Sequence, residues 1–259
     1  MNDTATRRLD TADLEARVKS MYELVALAPD QEFHFETGRG LAEHLGYPAA
    51  DLDAVPAEGI SSFAGVGYFL DLAALQPDET VLDLGSGSGT DSFLAARAVG
   101  PTGHVTGVDM TPAQLAKATR LAEEAGFANV AFVEGHIEHP PVPAGSVDCV
   151  ISNGVINLSP DKPTVFHAAA AALRPGGRLA IADIVTADQL PEGVTCDASL
   201  WAACIGGAAQ RDLHVAMLED AGFALDAVRD NDYRFVSDRA LGATTAYGVT
   251  SVSILAHRL

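Results

Sequence analysis

The run VLDLGSGSGTD, residues 81–91, carries an apolar strand into a glycine-rich turn that opens a helix, the setting in which such glycines bear on ligand binding. Gly85, Gly87 and Gly89 lack Cβ atoms, so the backbone can turn sharply and lie close to a ligand, with helix N–H groups directed at it. Their spacing is GxGxG, not the GxGxxG of a dinucleotide fold, and no GxxxxGK run followed by Ser or Thr is present. Asp83 stands just before the turn and Ser86 within it. A carboxylate in that place repels a phosphate and attracts an ammonium group. About twenty residues beyond Gly89 the next strand ends in GVDM, which places Asp109, beside Met110, to accept hydrogen bonds from both hydroxyls of a ribose.

The third strand runs into VEGHIEHPPVPAGSVD, where Ile137 can pack on an adenine edge and Glu138 can hydrogen-bond to it. His136 and His139 flank this pair, but no further ligands stand at suitable spacing, so no metal site is expected and both histidines read as solvated loop residues. The fourth strand, VDCVISNGVINLSP, brings Ser152, Asn153 and Asn157 to the crevice where open α/β sheets bind ligands, with Asn153 facing the ligand. Asn157 and Ser159 have two readings, substrate contact or caps of the helix that begins near Pro160.

Regular elements must hold these residues. From Glu79 onward, short β-branched runs at 80–84, 104–109, 130–134, 147–152 and 178–183 alternate with helical patterns at 91–98, 112–125 and 162–173. Strand, helix, strand in repetition implies parallel pairing with right-handed crossovers, an α/β doubly wound sheet. The tail adds a helix at 211–221 and two strand-like runs, 223–229 and 249–257, with no long helix between them; an antiparallel hairpin at a sheet edge is expected. Upstream lie helical patterns at 14–26 and 40–45 and a loop-like AVPAEGISSFAGVG. The chain is thus expected to divide into a helical cap and substrate lid, residues 1–78, and a ligand-binding domain, residues 79–259.

Composition narrows the partners. The excess of 35 Asp and Glu over 16 Lys and Arg, net charge −19, repels a nucleic-acid backbone. The start has charges of both signs and no signal-length apolar run, and no segment approaches a membrane span, so a soluble cytoplasmic protein is expected, monomer or homodimer. Cys149, Cys196 and Cys204 form no CxxC pair and read as reduced thiols.

Taken together, residues 81–109 and 134–138, SNGVINLSPDK and LRPGGRLAIAD resemble a class I S-adenosylmethionine methyltransferase. The resemblance implies a Rossmann-like, mostly parallel seven-stranded sheet and S-adenosylmethionine as cofactor. Its sites would be Asp83, Gly85, Ser86, Gly87, Gly89, Asp109, Met110, Ile137, Glu138 and Asn153. INLSPDK, LWAACIGGA at 200–208, LGYPAADLDAVP and SFAGVG resemble the arsenite methyltransferase family in particular, over residues 45–223. That family binds trivalent arsenic through cysteine thiolates. Where it carries cysteines this chain has Gly154 and Val66, and only Cys204 matches. One thiolate does not hold a pyramidal arsenic centre, so the resemblance implies the cofactor site and the placement of the acceptor pocket, at Val66, Asn157, Trp201 and Cys204.

Methyl transfer from a sulfonium is an in-line displacement, which asks the protein to hold the nucleophile near the methyl, aligned and dry. For an acceptor that must lose a proton, the candidate bases are His34 and Glu36 in the cap, and His214; Cys204 is a further catalytic candidate. His34 in FHFETGRG reads equally as a structural histidine among phenylalanines. Trp201 and Cys204 share a helix face that suits a pocket wall or ordinary core. The expected activity is methyl transfer to a small metabolite or natural product, with arsenite methylation as the first alternative and a non-methylating sensor, cyclase or decarboxylase as the second.

Overall fold

A computed structural model describes residues 9–197, 201, 205–236 and 238–259. Cys204 lies outside them. The central strands are β1 (Thr80–Leu84), β2 (His104–Asp109), β3 (Val130–Glu134), β4 (Val147–Asn153) and β5 (Leu173–Thr186), all paired in parallel in the order β3-β2-β1-β4-β5. Two further strands, Phe223–Asn231 and Thr250–Arg258, complete the sheet antiparallel, with the last strand of the chain lying between β5 and its partner. Seven strands thus form the continuous path, and an eighth of two residues, Ala209–Gln210, pairs off that path with the end of β5.

Both faces of the sheet are covered, which explains why its strands read as nearly unbroken apolar runs. Side chains alternate between faces. Val81, Val105, Cys149 and Ile151 join one buried cluster, while Leu82, Leu84, Val108 and Val150 join another. Helices α6 (Thr90–Val99), α7 (Pro112–Ala125) and α8 (Lys162–Ala172) are the crossovers. Proline in the first turn of α7 and a left-handed Gly126 after its last residue set its limits.

The upstream segment is helical, with α1 (Thr11–Leu27) and α2 (Gly38–His44) joined to the domain by three short turns of helix, α3 (Ala49–Leu52), α4 (Ala57–Ser61) and α5 (Leu70–Ala73), of which α4 falls in the run that reads as loop. Helix α1 is fastened to α7 at its C-terminal half. Gln114 Nε2 donates to the Tyr22 carbonyl at 2.9 Å, and Lys117 Nζ donates to the Ala26 carbonyl at 3.0 Å and to Ser62 Oγ at 2.8 Å.

One expectation about the tail is corrected. The strands 223–231 and 250–258 do pair antiparallel, but a ten-residue helix, Asp238–Tyr247, stands between them in place of a tight hairpin. Gly242 and the Thr244–Thr245 pair blur its periodicity, and its end is marked by Gly248, at φ +60°.

Candidate functional site

The carboxyl ends of β1, β2 and β4 open on one cleft of about 650 Å³, roofed by the N-terminal half of α1 and walled by the segments that follow β3 and β4. Its position matches the crevice in which open α/β sheets bind ligands, and its size is that of a site for a drug-sized molecule.

The glycine turn is built by backbone geometry that only glycine takes up readily. Gly85 has φ +77°, and a Cβ there would stand 2.4 Å from Val155 Cγ2. Gly89 has φ +92° and is pressed against Phe93 and Phe132, where a Cβ would fall within 2.8 Å of either ring. Gly85 and Gly87 line the cleft, whereas Gly89 stands behind the turn and caps α6.

Asp109, at the end of β2, is fixed by two backbone donors: Gly87 N–H at 2.9 Å and Thr111 N–H at 2.8 Å, one on each carboxylate oxygen. The Thr111 hydroxyl and the Met110 N–H also act on it, and a carboxylate so placed at the cleft can accept from a diol. Burial pushes this carboxyl above its usual range, while the backbone donors pull it back. Asp83 is pushed up to about 8, first by burial and then by the neighbouring Asp91, although Ser92 Oγ donates to it at 2.5 Å. Among the described residues the buried Ser86 Oγ has no hydrogen-bond partner. Met110, Ile137, Glu138 and Asn153 line the same cleft, as do His136 and His139. Ser159 Oγ donates to Glu138, joining the loop after β4 to the loop after β3.

Asp91, in the first turn of α6, is a residue that motif spacing did not single out. It lines the cleft, and Tyr47 OH donates to its Oδ1 at 2.6 Å while Asn153 Nδ2 donates to its Oδ2 at 3.0 Å. Burial pushes it up to about 6, against those two donors. Asn153 also accepts the Val66 N–H at 2.8 Å on its Oδ1, so β4, α6 and the upstream segment meet at this amide. The only sequence signal for Asp91 was its place at a helix start directly after the glycines.

Other candidates fall elsewhere. His34 packs edge-on against Phe35, with ring centroids 4.7 Å apart, and Glu36 lines a separate shallow hollow beside Thr37 and His44; neither borders the cleft. Their assignment as bases rested on membership of the cap, and the face of the cap that roofs the cleft belongs to α1 and to residues 62–65 instead. His214 is fully buried against Phe166 and pushed down to about 4 by burial, hence neutral and away from the cleft. Val66 is buried directly behind Gly154, where a Cβ would come 3.1 Å from Val66 Cγ1. Gly154 itself lines the cleft. Asn157 is buried beneath it with its N–H on Asp183 Oδ2 at 2.9 Å, and Trp201 is buried with its indole N–H on the Thr195 carbonyl at 2.8 Å. The Cys149 thiol, deep in the sheet, is pushed up to about 12 by burial and is inert.

These residues fit S-adenosylmethionine. Buried Asp83 and Asp91 and half-buried Asp109 border the cleft, and among the described residues no Lys or Arg does, which suits a ligand carrying sulfonium and ammonium charges. Asp109 is placed to accept from a diol, and among the described residues Ser86 Oγ offers an unpaired polar atom. Among the described residues no group of His, Cys, Asp and Glu could hold a metal, and no helix is long and apolar enough to cross a membrane.

Comparison with known proteins agrees. A family profile described as a methyltransferase domain matches residues 75–222. An arsenite methyltransferase of Halobacterium salinarum is 46% identical over 205 residues, 78% of this chain and 52% of that protein. The chain spans about half the length of such relatives. The crystal structure of an arsenic(III) S-adenosylmethionine methyltransferase from Chlamydomonas reinhardtii superposes with TM-score 0.68 at 32% identity, covering 80% of this chain and 71% of that one. A geranyl diphosphate C-methyltransferase from Streptomyces coelicolor shares the fold, at TM-score 0.69 and 18% identity over 97% of this chain and all of the other. Profile, relatives and site agree that the chain belongs to the class I methyltransferase-domain family, with S-adenosylmethionine as its cofactor.

Proposed function

We propose that this protein transfers the methyl group of S-adenosylmethionine to a small organic molecule held in the same cleft. The observation that carries the reading is the continuity of the cleft: the cradle formed by Gly85, Gly87 and Asp109 opens without a break onto an apolar chamber bordered by Leu14, Phe63, Gly154 and Leu158. When bound, the cofactor supplies an electrophilic methyl on a sulfonium. The chain's own part is to orient, exclude water and manage charge. Asp109 holds the ribose and Asp83 faces the cationic end. Helix α1, through Leu14 and Val18, shuts the roof so that the acceptor reacts in a dry site. In this reading residues 1–78 act as lid and residues 79–259 as the transfer domain, working in the cytoplasm as monomer or homodimer. The net charge of −19 supports a small molecule over a nucleic acid as acceptor.

Arsenite is the second reading, favoured by the identity to the arsenite methyltransferases. Against it stand Gly154 and Val66, which touch each other at the positions where the resemblance calls for thiols, so hydrogen and isopropyl fill that corner. The test is adenosylhomocysteine release from a panel of thiols, phenols, amines and arsenite, after calorimetry of S-adenosylmethionine binding. Turnover of an organic member is expected. Turnover of arsenite alone, lost in Cys204→Ser, would replace the first reading with the second.

A further inference from the structure

The charge of the cleft and the place of one carboxylate say which acceptors the site takes. Six acidic residues border it, Glu15, Asp83, Asp91, Asp109, Glu138 and Asp161, and among the described residues no Lys or Arg does. Among the described residues an anionic group on the acceptor would meet no fixed cation there, only carboxylates whose fields are poorly screened by the apolar lining.

Asp91 differs from the other acids in where it stands and in what holds it. On the methyl-transfer reading the adenine and ribose contacts fall on the β2 and β3 side of the sheet, where Asp109 and Glu138 lie. Asp91 is bonded to Asn153 at the end of β4, two strands from Asp109 in the sheet order β2-β1-β4. That is the end of the cleft bordered by Gly65, Gly154 and Val155. Two of its lone-pair sites are taken, by Tyr47 OH and Asn153 Nδ2, and a carboxylate has about four. The ionisable groups that act on it or feel it are Tyr47 on the segment after α2, Tyr68 on the segment before α5 and Asp83 on β1, and none is a cation.

Building on the methyl-transfer reading, we infer that the acceptor is a molecule without an anionic group whose reacting nitrogen, oxygen or sulfur carries a proton, and that Asp91 is the catalytic residue that takes that proton. The step balances. The acceptor heteroatom forms its new bond to the methyl carbon as the carbon–sulfur bond breaks, with that electron pair staying on sulfur. The heteroatom's proton passes to the Asp91 carboxylate and from there to solvent once the products leave. Tyr47 and Asn153 keep the carboxylate in one orientation, which spares it reorganisation during the transfer. A value near 6 leaves Asp91 ionised at neutral pH while still basic enough to accept a proton.

The test pairs each amine, phenol and thiol of an acceptor panel with a counterpart of the same skeleton bearing a carboxylate, and compares wild type with Asp91→Asn and Tyr47→Phe. Adenosylhomocysteine is expected from uncharged or cationic members and not from their carboxylated counterparts. Asp91→Asn is expected to lower kcat by about 100-fold or more while leaving calorimetric S-adenosylmethionine affinity unchanged, and to abolish the acid limb of the rate profile near pH 6. Tyr47→Phe, which removes a donor to the carboxylate, is expected to move that limb to higher pH. Equal turnover of a carboxylated counterpart would overturn the inference. So would a loss of cofactor affinity in Asp91→Asn that matches its loss of turnover, because Asp91 would then be an anchor for the cofactor. Tight S-adenosylmethionine binding with no turnover of any member would overturn the methyl-transfer reading and this inference with it.

Discussion

The two ends of the cleft are built by different means. At the ribose end the work is done by backbone: the N–H groups of Gly87 and Thr111 hold Asp109, and all three sit on a turn and a strand end drawn from one short stretch of chain. At the acceptor end side chains hold side chains, and they come from far apart. Tyr47 reaches Asp91 across 44 positions and Asn153 across 106, and Asn153 binds the Val66 N–H across 87. A backbone cradle survives most substitutions, whereas a side-chain cluster can be exchanged residue by residue. Cofactor affinity and acceptor choice should therefore separate under mutation.

The most severe break is expected at the ribose end. Asp109→Ala removes both the diol acceptor and the partner of two backbone donors, and charged hydrogen bonds of this kind support a loss of about 100-fold or more in S-adenosylmethionine affinity by calorimetry. Gly85→Ala adds a methyl at φ +77° only 2.4 Å from Val155, and should cost about 1–3 kcal/mol in chemical unfolding as well as weakening the cofactor. Gly154→Ala is the contrasting probe. Its methyl would come 3.1 Å from Val66, so a cost of about 1 kcal/mol in stability is expected, with turnover of bulky acceptors reduced and cofactor affinity retained.

The smallest effect is one of pH. Asp83, Asp91 and Asp183 are pushed up to about 8, 6 and 7 by burial, so the folded chain holds protons that the unfolded chain gives up above its ordinary carboxylate range. Their contribution to stability is present at low pH and is lost as pH rises through these values. His214, pushed down to about 4, acts in the opposite sense: the unfolded histidine gains a proton below its ordinary 6.5, and stability falls as pH drops from there. Thermal unfolding of the cofactor-free protein should therefore show a midpoint that declines by a few degrees from about pH 6 to 8. Saturating S-adenosylmethionine, whose positive charge favours ionised Asp83, should flatten that decline. An unchanged slope with cofactor bound would mean that Asp83 does not face it.

The same contrast explains what could be read from the sequence. The limits of β1, β2, β3 and α7 fall where the apolar runs, the glycines and Pro112 put them, because local chemistry sets them. The glycine turn and the Asp at the end of β2 were legible for the same reason. Asn153 was legible as a residue of the crevice, but its bonding to Tyr47 and Asp91 was not, since no spacing in the chain announces a bond across a hundred residues. Choosing His34 and Glu36 as bases followed from the cap as a whole, and which face of a cap meets the domain depends on tertiary packing. The helix 238–247 was missed because Gly242 and two threonines weaken its pattern.

The most direct test of the account is to follow the methyl label of S-adenosylmethionine into a mixed panel of thiols, phenols, amines and arsenite, with wild type and Asp109→Ala side by side. The account predicts label in an organic acceptor with wild type and none with the variant. Label that stays on the cofactor, or reaches arsenite alone, would contradict it.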